Sequence, residues 1–172
     1  MPSKPTQIKG RIWLVDRDNV DTDMIFHNRH LHITDIKEMG SYAFGNLEGW
    51  TDFPKRAKPG DLLMVGQNFG AGSSRQQAVD CFKALGIPVI IGESFGAIYK
   101  RNAVNSGMAL LECPGLKDSG LESGDEVAVN LGSGEIHCPA KGIKLQAKPF
   151  SSVQMDIYQA GGLFEYGKAV SS

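Results

Sequence analysis

One stretch constrains the fold of this chain more than any other, because an apolar run, a glycine-rich turn and a helical pattern follow one another without a break. The apolar run covers residues 62–65, the turn residues 66–77 and the helical pattern residues 78–85. Glycines allow positive φ and a close approach of the backbone to a ligand. The first N–H groups of a helix have no acceptor within the helix. This strand–turn–helix order is typical of sites that bind anions.

The turn carries three side chains suited to an anion, the hydroxyls of Ser73 and Ser74 and the guanidinium of Arg75. A guanidinium binds a carboxylate through two parallel hydrogen bonds. We interpret the turn as a carboxylate-binding site in which Ser73 or Ser74 is the candidate reactive group. The alternative is a tight turn whose serine only caps the helix. The turn matches neither the Walker phosphate-binding pattern nor the Gly-x-Ser-x-Gly nucleophile pattern.

The length of 172 residues suits one domain, residues 1–172, with a hydrophobic core. A formal net charge of −1 gives no indication of a nucleic-acid surface. No apolar run reaches the length of a membrane span, and residues 1–6 lack the apolar centre of a signal peptide. We therefore expect a cytoplasmic protein that binds neither nucleic acid nor membrane.

The three cysteines, Cys81, Cys113 and Cys138, lie far apart and include no Cys-x-x-Cys pair. A metal site built by this chain alone is therefore not expected, and any metal would come from elsewhere. Cys81 falls within the helical pattern and is expected in the core.

Hydrophobic patterns predict a single α/β domain with a mixed, partly parallel sheet flanked by helices. Residues 89–92 are apolar throughout, which indicates a buried strand parallel to residues 62–65 with a right-handed crossover between them. Residues 1–7 are expected to fray, and residues 45–60 to form a mobile loop. Further strands are predicted at 8–15, 109–111, 126–130, 135–138 and 142–146, and further helices at 36–44, 93–103 (capped by Ser94) and 151–160.

Three histidines, His27, His30 and His32, lie close to Arg29 in one short segment. They lack the cysteine partners or the i, i+4 spacing of a zinc site. Two interpretations stay open, a polar surface loop without a ligand and a loop that faces a substrate.

Four motifs in this order resemble the small, swivelling subunit of 3-isopropylmalate dehydratase, in the aconitase superfamily. The resemblance extends over residues 10–162. The motifs are residues 21–23 (Asp-Thr-Asp), 68–75 (Asn-Phe-Gly-Ala-Gly-Ser-Ser-Arg), 93–95 (Glu-Ser-Phe) and 101–107 (Arg-Asn-Ala-Val-Asn-Ser-Gly). The resemblance implies an aconitase-like swivelling domain and overrides the interpretation as a mere turn.

The resemblance also implies a hydro-lyase of leucine biosynthesis that isomerises a small hydroxy di- or tricarboxylate through an unsaturated intermediate. A [4Fe–4S] cluster would be bound by a separate large subunit and not by this chain, which would form a hetero-oligomer with that subunit and a homo-oligomer when isolated. By position, Ser73 matches the serine taken to be the catalytic base. Ser74 and Arg75 match groups that bind a substrate carboxylate, and Asp23 matches an acid at the edge of the active site.

A serine hydroxyl acts as a base only where its surroundings favour the alkoxide. Backbone N–H groups, the start of a helix and Arg75 are expected to provide that positive potential. The chain departs from the family pattern at Ala71 (usually Cys), at Gln76 (usually Glu) and at Gly96-Ala97 (usually Ala-Arg). Gln76 removes a negative charge beside Arg75 and is expected to leave that arginine freer to hold substrate.

The loop at residues 30–33 occupies the place where homoaconitase-type members carry Tyr-Leu-Arg-Thr. His30, His32 and Ile33 are therefore candidate substrate-binding residues. A neutral His32 and Ile33 suit an isopropyl group, whereas a charged His32 or Arg29 could accept an extra carboxylate. We favour isopropylmalate as the substrate. The alternatives are a homoaconitase or another dehydratase of a tricarboxylate or methylated malate, and a non-catalytic carboxylate-binding module.

Overall fold

The computed structural model describes residues 3–171 and is built on one seven-stranded mixed sheet in the order β4-β3-β2-β1-β5-β6-β7. Strands β1 to β4 are parallel to their neighbours, whereas β5 pairs antiparallel with β1, and β6 and β7 continue antiparallel. This confirms the expected mixed, partly parallel sheet. The strands are β1 Gln7–Val15, β2 Leu62–Val65, β3 Val89–Gly92, β4 Ala109–Glu112, β5 Glu126–Asn130, β6 Glu135–Cys138 and β7 Ile143–Gln146.

The parallel half has the predicted strand–helix–strand connections. Helix α4, Gln77–Ala84, joins β2 to β3, and helix α5, Ala97–Asn105, joins β3 to β4. All residues of β2 and β3 are buried, because the sheet packs on both faces. The carboxyl ends of these strands meet at one edge of the sheet, where ligands bind in open α/β sheets.

Alternate residues of β2 face two different hydrophobic clusters. Leu63 and Val65 pack with the helices, including Phe82 of α4, whereas Leu62 and Met64 pack with the antiparallel strands. The sheet also curls, since Lys148 N donates a 2.8 Å hydrogen bond to the Glu112 carbonyl at the end of β4. The two ends of the sheet thus approach each other as a half-barrel around the second cluster.

The described residues contain five further α-helices: α1 Thr22–Ile25, α2 Ile36–Met39, α3 Phe53–Arg56, α6 Ser152–Ala160 and α7 Leu163–Ser171. Side chains of Asp21, Asp35 and Ser151 accept N-terminal hydrogen bonds of α1, α2 and α6. Among residues 3–171 no helix has the length and apolar character needed to cross a bilayer.

Several element boundaries differ from the predictions. The expected helix over residues 36–44 is α2 followed by a 3₁₀ turn, Gly40–Tyr42. Helix α5 starts at Ala97 rather than near residue 93, and Ser94 does not cap it, because its hydroxyl accepts a hydrogen bond from Asn68 N at 2.8 Å. Helix α7 has no counterpart among the predicted elements.

The expected frayed start is wrong for residues 4–6. Lys4 N donates to Gln159 Oε1 at 2.8 Å, and the Tyr158 hydroxyl donates to the Pro5 carbonyl at 2.7 Å. Residues 1 and 2 lie outside the described part of the chain. These hydrogen bonds tie the segment before β1 to α6.

The segment 45–60 is not all loop, because it contains α3. Phe53 in that helix is 1% exposed, and its ring centroid lies 5.3 Å from that of Phe44. The packing of Phe53 against Phe44 restricts the movement that was expected of this segment.

Candidate active-site edge

The glycine turn after β2 is clamped by the loops after β1 and β3. On one side Gly70 N donates to the Val20 carbonyl at 2.7 Å, and Thr22 N donates to the Ala71 carbonyl at 2.9 Å. On the other side Gly96 N donates to the Phe69 carbonyl at 2.9 Å. The motifs at residues 21–23, 68–75 and 93–95 therefore meet at the carboxyl edge of the sheet.

Gly70 is required by both its conformation and its neighbour. Its φ is +82°, and a Cβ at this position would lie 2.2 Å from Cγ of Tyr99. Tyr99 is buried, and its hydroxyl donates to the Ala78 carbonyl at 2.9 Å, which joins α5 to α4. The turn is thus fixed against a side chain that is itself held in place.

Ser73 and Ser74 are exposed at the end of this turn. The Ser73 carbonyl accepts a 3.0 Å hydrogen bond from the Thr22 hydroxyl, and Ser74 Oγ accepts one of 2.8 Å from Asn102 Nδ2. The contact from Asn102 brings the fourth motif, residues 101–107, to the same place. Within residues 3–171 the Ser73 hydroxyl has no hydrogen-bond partner, so it is free to meet a ligand.

Arg75 is anchored rather than free. Its Nη1 donates to Asp23 Oδ1 at 3.0 Å and to the Phe26 carbonyl at 2.7 Å, and its side chain is only 12% exposed. The expectation that Gln76 frees this arginine is wrong, because Asp23 supplies the negative partner. Gln76 itself bonds to Asp80 Oδ1 at 3.2 Å.

The start of α4 contributes less to Ser73 than expected. The helix begins at Gln77, four positions beyond Ser73. Ala78 N donates to the Arg75 carbonyl, and Val79 N donates to the Gln76 carbonyl. These N–H groups are therefore already used within the turn, and Arg75 is the charged group of the turn nearest to Ser73 in sequence.

Asp23 connects three segments through its carboxylate. In addition to the Arg75 contact, Oδ1 accepts from Asn28 N at 2.9 Å and Oδ2 accepts from Asn46 Nδ2 at 3.0 Å. Partial burial raises the pKa of Asp23, but the hydrogen bonds from Arg75 and Asn28 outweigh it, so the pKa lies below its ordinary value. Asp23 is thus ionised at neutral pH and positions Arg75. No sequence pattern indicates Asn46, which reaches Asp23 from a distant segment.

The histidine loop, residues 27–32, contacts the first residue of α4, because Gln77 Nε2 donates to the Leu31 carbonyl at 3.2 Å. His30 packs on Tyr42 with ring centroids 4.1 Å apart. Burial lowers the pKa of His30, and the positive charges of neighbouring basic side chains, Arg29 foremost, lower it further. His30 is therefore mainly neutral at pH 7.

His32 and Ile33 have different environments. His32 is exposed and lines an open cleft of about 400 Å³ together with Asp35, Glu38 and Tyr42. Ile33 is 7% exposed and packs in the core, so only a small part of it reaches the cleft wall. Most of the Ile33 side chain is used in packing, and its substrate-facing role stays a prediction.

The described residues do not fit an iron–sulfur cluster. No group of three or more His, Cys, Asp or Glu side chains in residues 3–171 is placed to hold a metal ion. The three cysteines are all buried, and Cys81 lies in the core as predicted. Burial raises the pKa of the Cys81 thiol well above its ordinary value, which keeps it protonated.

Comparison with known proteins gives a consistent relationship over almost the whole chain. The aconitase C-terminal domain family matches residues 5–115. The isopropylmalate/citramalate isomerase small subunit of Methanocaldococcus jannaschii is 42% identical over 161 residues, which is 94% of each chain. The 3-isopropylmalate dehydratase small subunit of Halothermothrix orenii is 40% identical over 159 residues, with 92% of this chain and 94% of the relative covered.

A solved structure shows the same fold. The crystal structure of a 3-isopropylmalate dehydratase chain from Methanocaldococcus jannaschii matches with a TM-score of 0.87 at 35% identity. The match covers 96% of this chain and 95% of that chain. The resemblance based on four motifs is thus confirmed over the full α/β domain.

Proposed function

The chain belongs to the aconitase C-terminal domain family, among the small subunits of 3-isopropylmalate dehydratase, and we propose that it forms half of a hydro-lyase that interconverts 2-isopropylmalate and 3-isopropylmalate. The reaction would proceed by dehydration and rehydration, as a step of leucine biosynthesis. The biosynthetic roles of the relatives support a cytoplasmic location.

The observation that carries this proposal is an exposed Ser73 hydroxyl, without a hydrogen-bond partner among the described residues, on a rigid turn beside an arginine that Asp23 holds in place. Reactive groups require fixed positions, because small displacements lower the rate of the reaction. Ser73 and Ser74 are both exposed, so a site built on them stays open to water until a second surface covers it. Such an open site is expected of a small subunit that closes over a larger partner.

In the dehydration step the Ser73 alkoxide would take a proton from the substrate carbon next to a carboxylate. The hydroxyl on the neighbouring carbon would leave with its bonding electrons, the Lewis acid that accepts it being supplied by the large subunit's cluster, and a double bond would form between the two carbons. Rehydration places the proton and the hydroxyl on exchanged carbons. Arg75 and Ser74 would bind a substrate carboxylate and thereby orient the carbon toward Ser73.

The [4Fe–4S] cluster of the family is assigned to the large subunit in this proposal, because the described residues of this chain offer no ligand set for it. This chain contributes the base and the carboxylate-binding groups. We also expect self-association of the isolated chain, which the exposed apolar side chains of Leu163, Phe164 and Val170 on α7 favour.

A second candidate substrate is a methylated malate such as citramalate. It is favoured by the printed name of the Methanocaldococcus jannaschii relative, an isopropylmalate/citramalate isomerase small subunit. His32 is compatible with both acids. It is exposed in the cleft and, unlike the arginine of homoaconitase-type members, brings no guanidinium that would bind an extra carboxylate.

The proposal is tested by mixing this chain with a cluster-bearing large subunit from the same genome. Isomerisation of isopropylmalate, citramalate and homoaconitate is then measured for the mixture and for each subunit alone. We expect the highest kcat/KM with isopropylmalate and no turnover by either subunit alone. Faster turnover of another acid would identify that acid, rather than isopropylmalate, as the substrate. Failure to associate with any large subunit would favour a non-catalytic module.

A further inference from the structure

Among residues 3–171 the Ser74 hydroxyl makes one hydrogen bond. Asn102 Nδ2 lies 2.8 Å from Ser74 Oγ and donates to it. We propose that Asn102 is a positioning residue that makes Ser74 a hydrogen-bond donor toward the substrate. This inference rests on the proposed function, in which Ser74 binds a substrate carboxylate.

The inference follows from what each group can donate and accept. A serine hydroxyl has one proton to donate and two lone pairs that accept. The amide of Asn102 fills one lone pair, and within the described chain the Ser74 proton has no acceptor. An ionised carboxylate only accepts hydrogen bonds. Ser74 can therefore serve a substrate carboxylate only by donating its proton, and the Asn102 amide leaves that proton free to point outward.

The packing of α5 fixes the position of Asn102. Tyr99 and Ala103 of the same helix are both buried, at 2% and 0% exposure. The Tyr99 ring also sets the position of the glycine turn through its close contact with Gly70. One buried side chain thus determines the positions of both Asn102 and the turn that carries Ser74.

The two proposed carboxylate-binding residues, Ser74 and Arg75, receive their positioning hydrogen bonds from different parts of the chain. Arg75 is held by Asp23, which follows β1, whereas Ser74 is held by Asn102, which follows β3. A change at residue 102 should therefore act through Ser74 and leave the anchoring of Arg75 intact.

The main test replaces the donor at residue 102 by an acceptor. In Asn102→Asp the carboxylate would take the Ser74 proton, so that Ser74 would turn lone pairs toward the substrate carboxylate. We expect KM to rise by about tenfold or more, with a much smaller change in kcat, because a bond common to substrate and transition state is lost. Asn130→Asp on β5 is the matched control, because an aspartate there keeps the side-chain oxygen that accepts from Ser133 N, and its KM should stay within about twofold.

A double-mutant cycle separates this role from a general effect of charge. In the Ser74→Ala background the aspartate at residue 102 should add no further rise in KM, because the hydroxyl it would reorient is absent. A persistent effect in that background, or equal KM values for Asn102→Asp and Asn130→Asp, would overturn the inference.

A spectroscopic readout needs neither turnover nor a stable variant at residue 102. In the ¹⁵N-labelled full chain the side-chain amide signals of Asn102 should shift in Ser74→Ala, and unchanged signals would show that the bond is absent. The kinetic series is run with isopropylmalate, citramalate and homoaconitate. Turnover of another acid alone contradicts the proposed substrate, and the KM test then applies to that acid. Turnover of none contradicts both proposals.

Discussion

Nη1 of Arg75 lies 3.0 Å from Oδ1 of Asp23, so the arginine after the glycine turn is oriented by an acid from the loop after the first strand. The same nitrogen donates to the Phe26 carbonyl. Among residues 3–171 both hydrogen bonds of the Arg75 side chain come from Nη1, which leaves the rest of the guanidinium for a substrate carboxylate.

Replacement of Arg75 by lysine should weaken substrate binding although it keeps the charge. A single ammonium cannot match the planar geometry with which a guanidinium serves Asp23 and a carboxylate together. We expect KM for isopropylmalate to rise about 10- to 100-fold, measured with the complete enzyme. Arg56→Lys is the control, because Arg56 is 55% exposed, and its contacts are a surface ion pair with Asp52 and the Trp13 ring 4.9 Å away. Equal KM values for the two variants would exclude a binding role for Arg75.

Alanine at Gly70 should destabilise the fold more than alanine at Gly72. Both residues have positive φ, +82° and +97°, which costs an alanine about 1–2 kcal/mol. Only at Gly70 does the new Cβ meet the Tyr99 ring, whereas at Gly72 the nearest atoms lie 3.8 Å away. Overpacking adds about 1–3 kcal/mol. Urea denaturation should show the larger loss for Gly70→Ala, and equal losses would mean that the Tyr99 contact is unimportant.

The sequence was sufficient for the elements whose determinants are local. The continuous apolar runs at residues 62–65 and 89–92 are buried parallel strands, as predicted, and Gly161 ends α6 with φ +94°. Helix α7 was not predicted, and none of its nine residues is buried, so it presents no apolar face to the core.

The sequence predicts which residues form the candidate site, but only part of the geometry of their contacts. Ser73, Ser74 and Arg75 are adjacent in the chain, and their motif indicates anion chemistry. Asp23 and Asn102 reach them only because parallel strands bring successive loops to one edge, and no local pattern gives those contacts. The anchoring of Arg75 and the burial of Ile33 depend on tertiary packing, which overrides their apparent availability.

Asp61 should make the stability of the chain depend on acid pH. Its Oδ2 accepts hydrogen bonds from Trp13 Nε1 at 2.8 Å, Lys58 N at 2.9 Å and Arg11 Nη2 at 3.1 Å. Burial raises the pKa of Asp61, but these donors outweigh it and the pKa is lowered overall. A folded pKa below the unfolded value of about 3.9 stabilises the fold above that pH, and this is lost as pH falls through the folded pKa.

The corresponding measurement is the free energy of unfolding of Asp61→Asn between neutral and acid pH. At pH 7 we expect a loss of about 1–3 kcal/mol, because three donors lose a charged acceptor. The difference from the wild type should shrink below about pH 4. Glu48→Gln, at an exposed position, is the control. A difference that stays constant down to acid pH would contradict the role of the ionised carboxylate.

His32→Arg should change the choice of substrate. His32 lines the open cleft formed with Asp35, Glu38 and Tyr42, and an arginine there could bind an additional carboxylate. We expect the ratio of kcat/KM for homoaconitate over isopropylmalate to rise about tenfold or more. His137→Arg, on β6 away from this cleft, is the control. An unchanged ratio would remove His32 from the set of specificity-determining residues.

The most direct test of the account is the kcat of Ser73→Ala in the complete two-subunit enzyme, measured beside Ser74→Ala. If Ser73 is the base, its loss should lower kcat by about 10²–10⁴-fold with little change in KM, whereas Ser74→Ala should act mainly on KM. A Ser73→Ala enzyme that retains the wild-type kcat would contradict the assignment of the base.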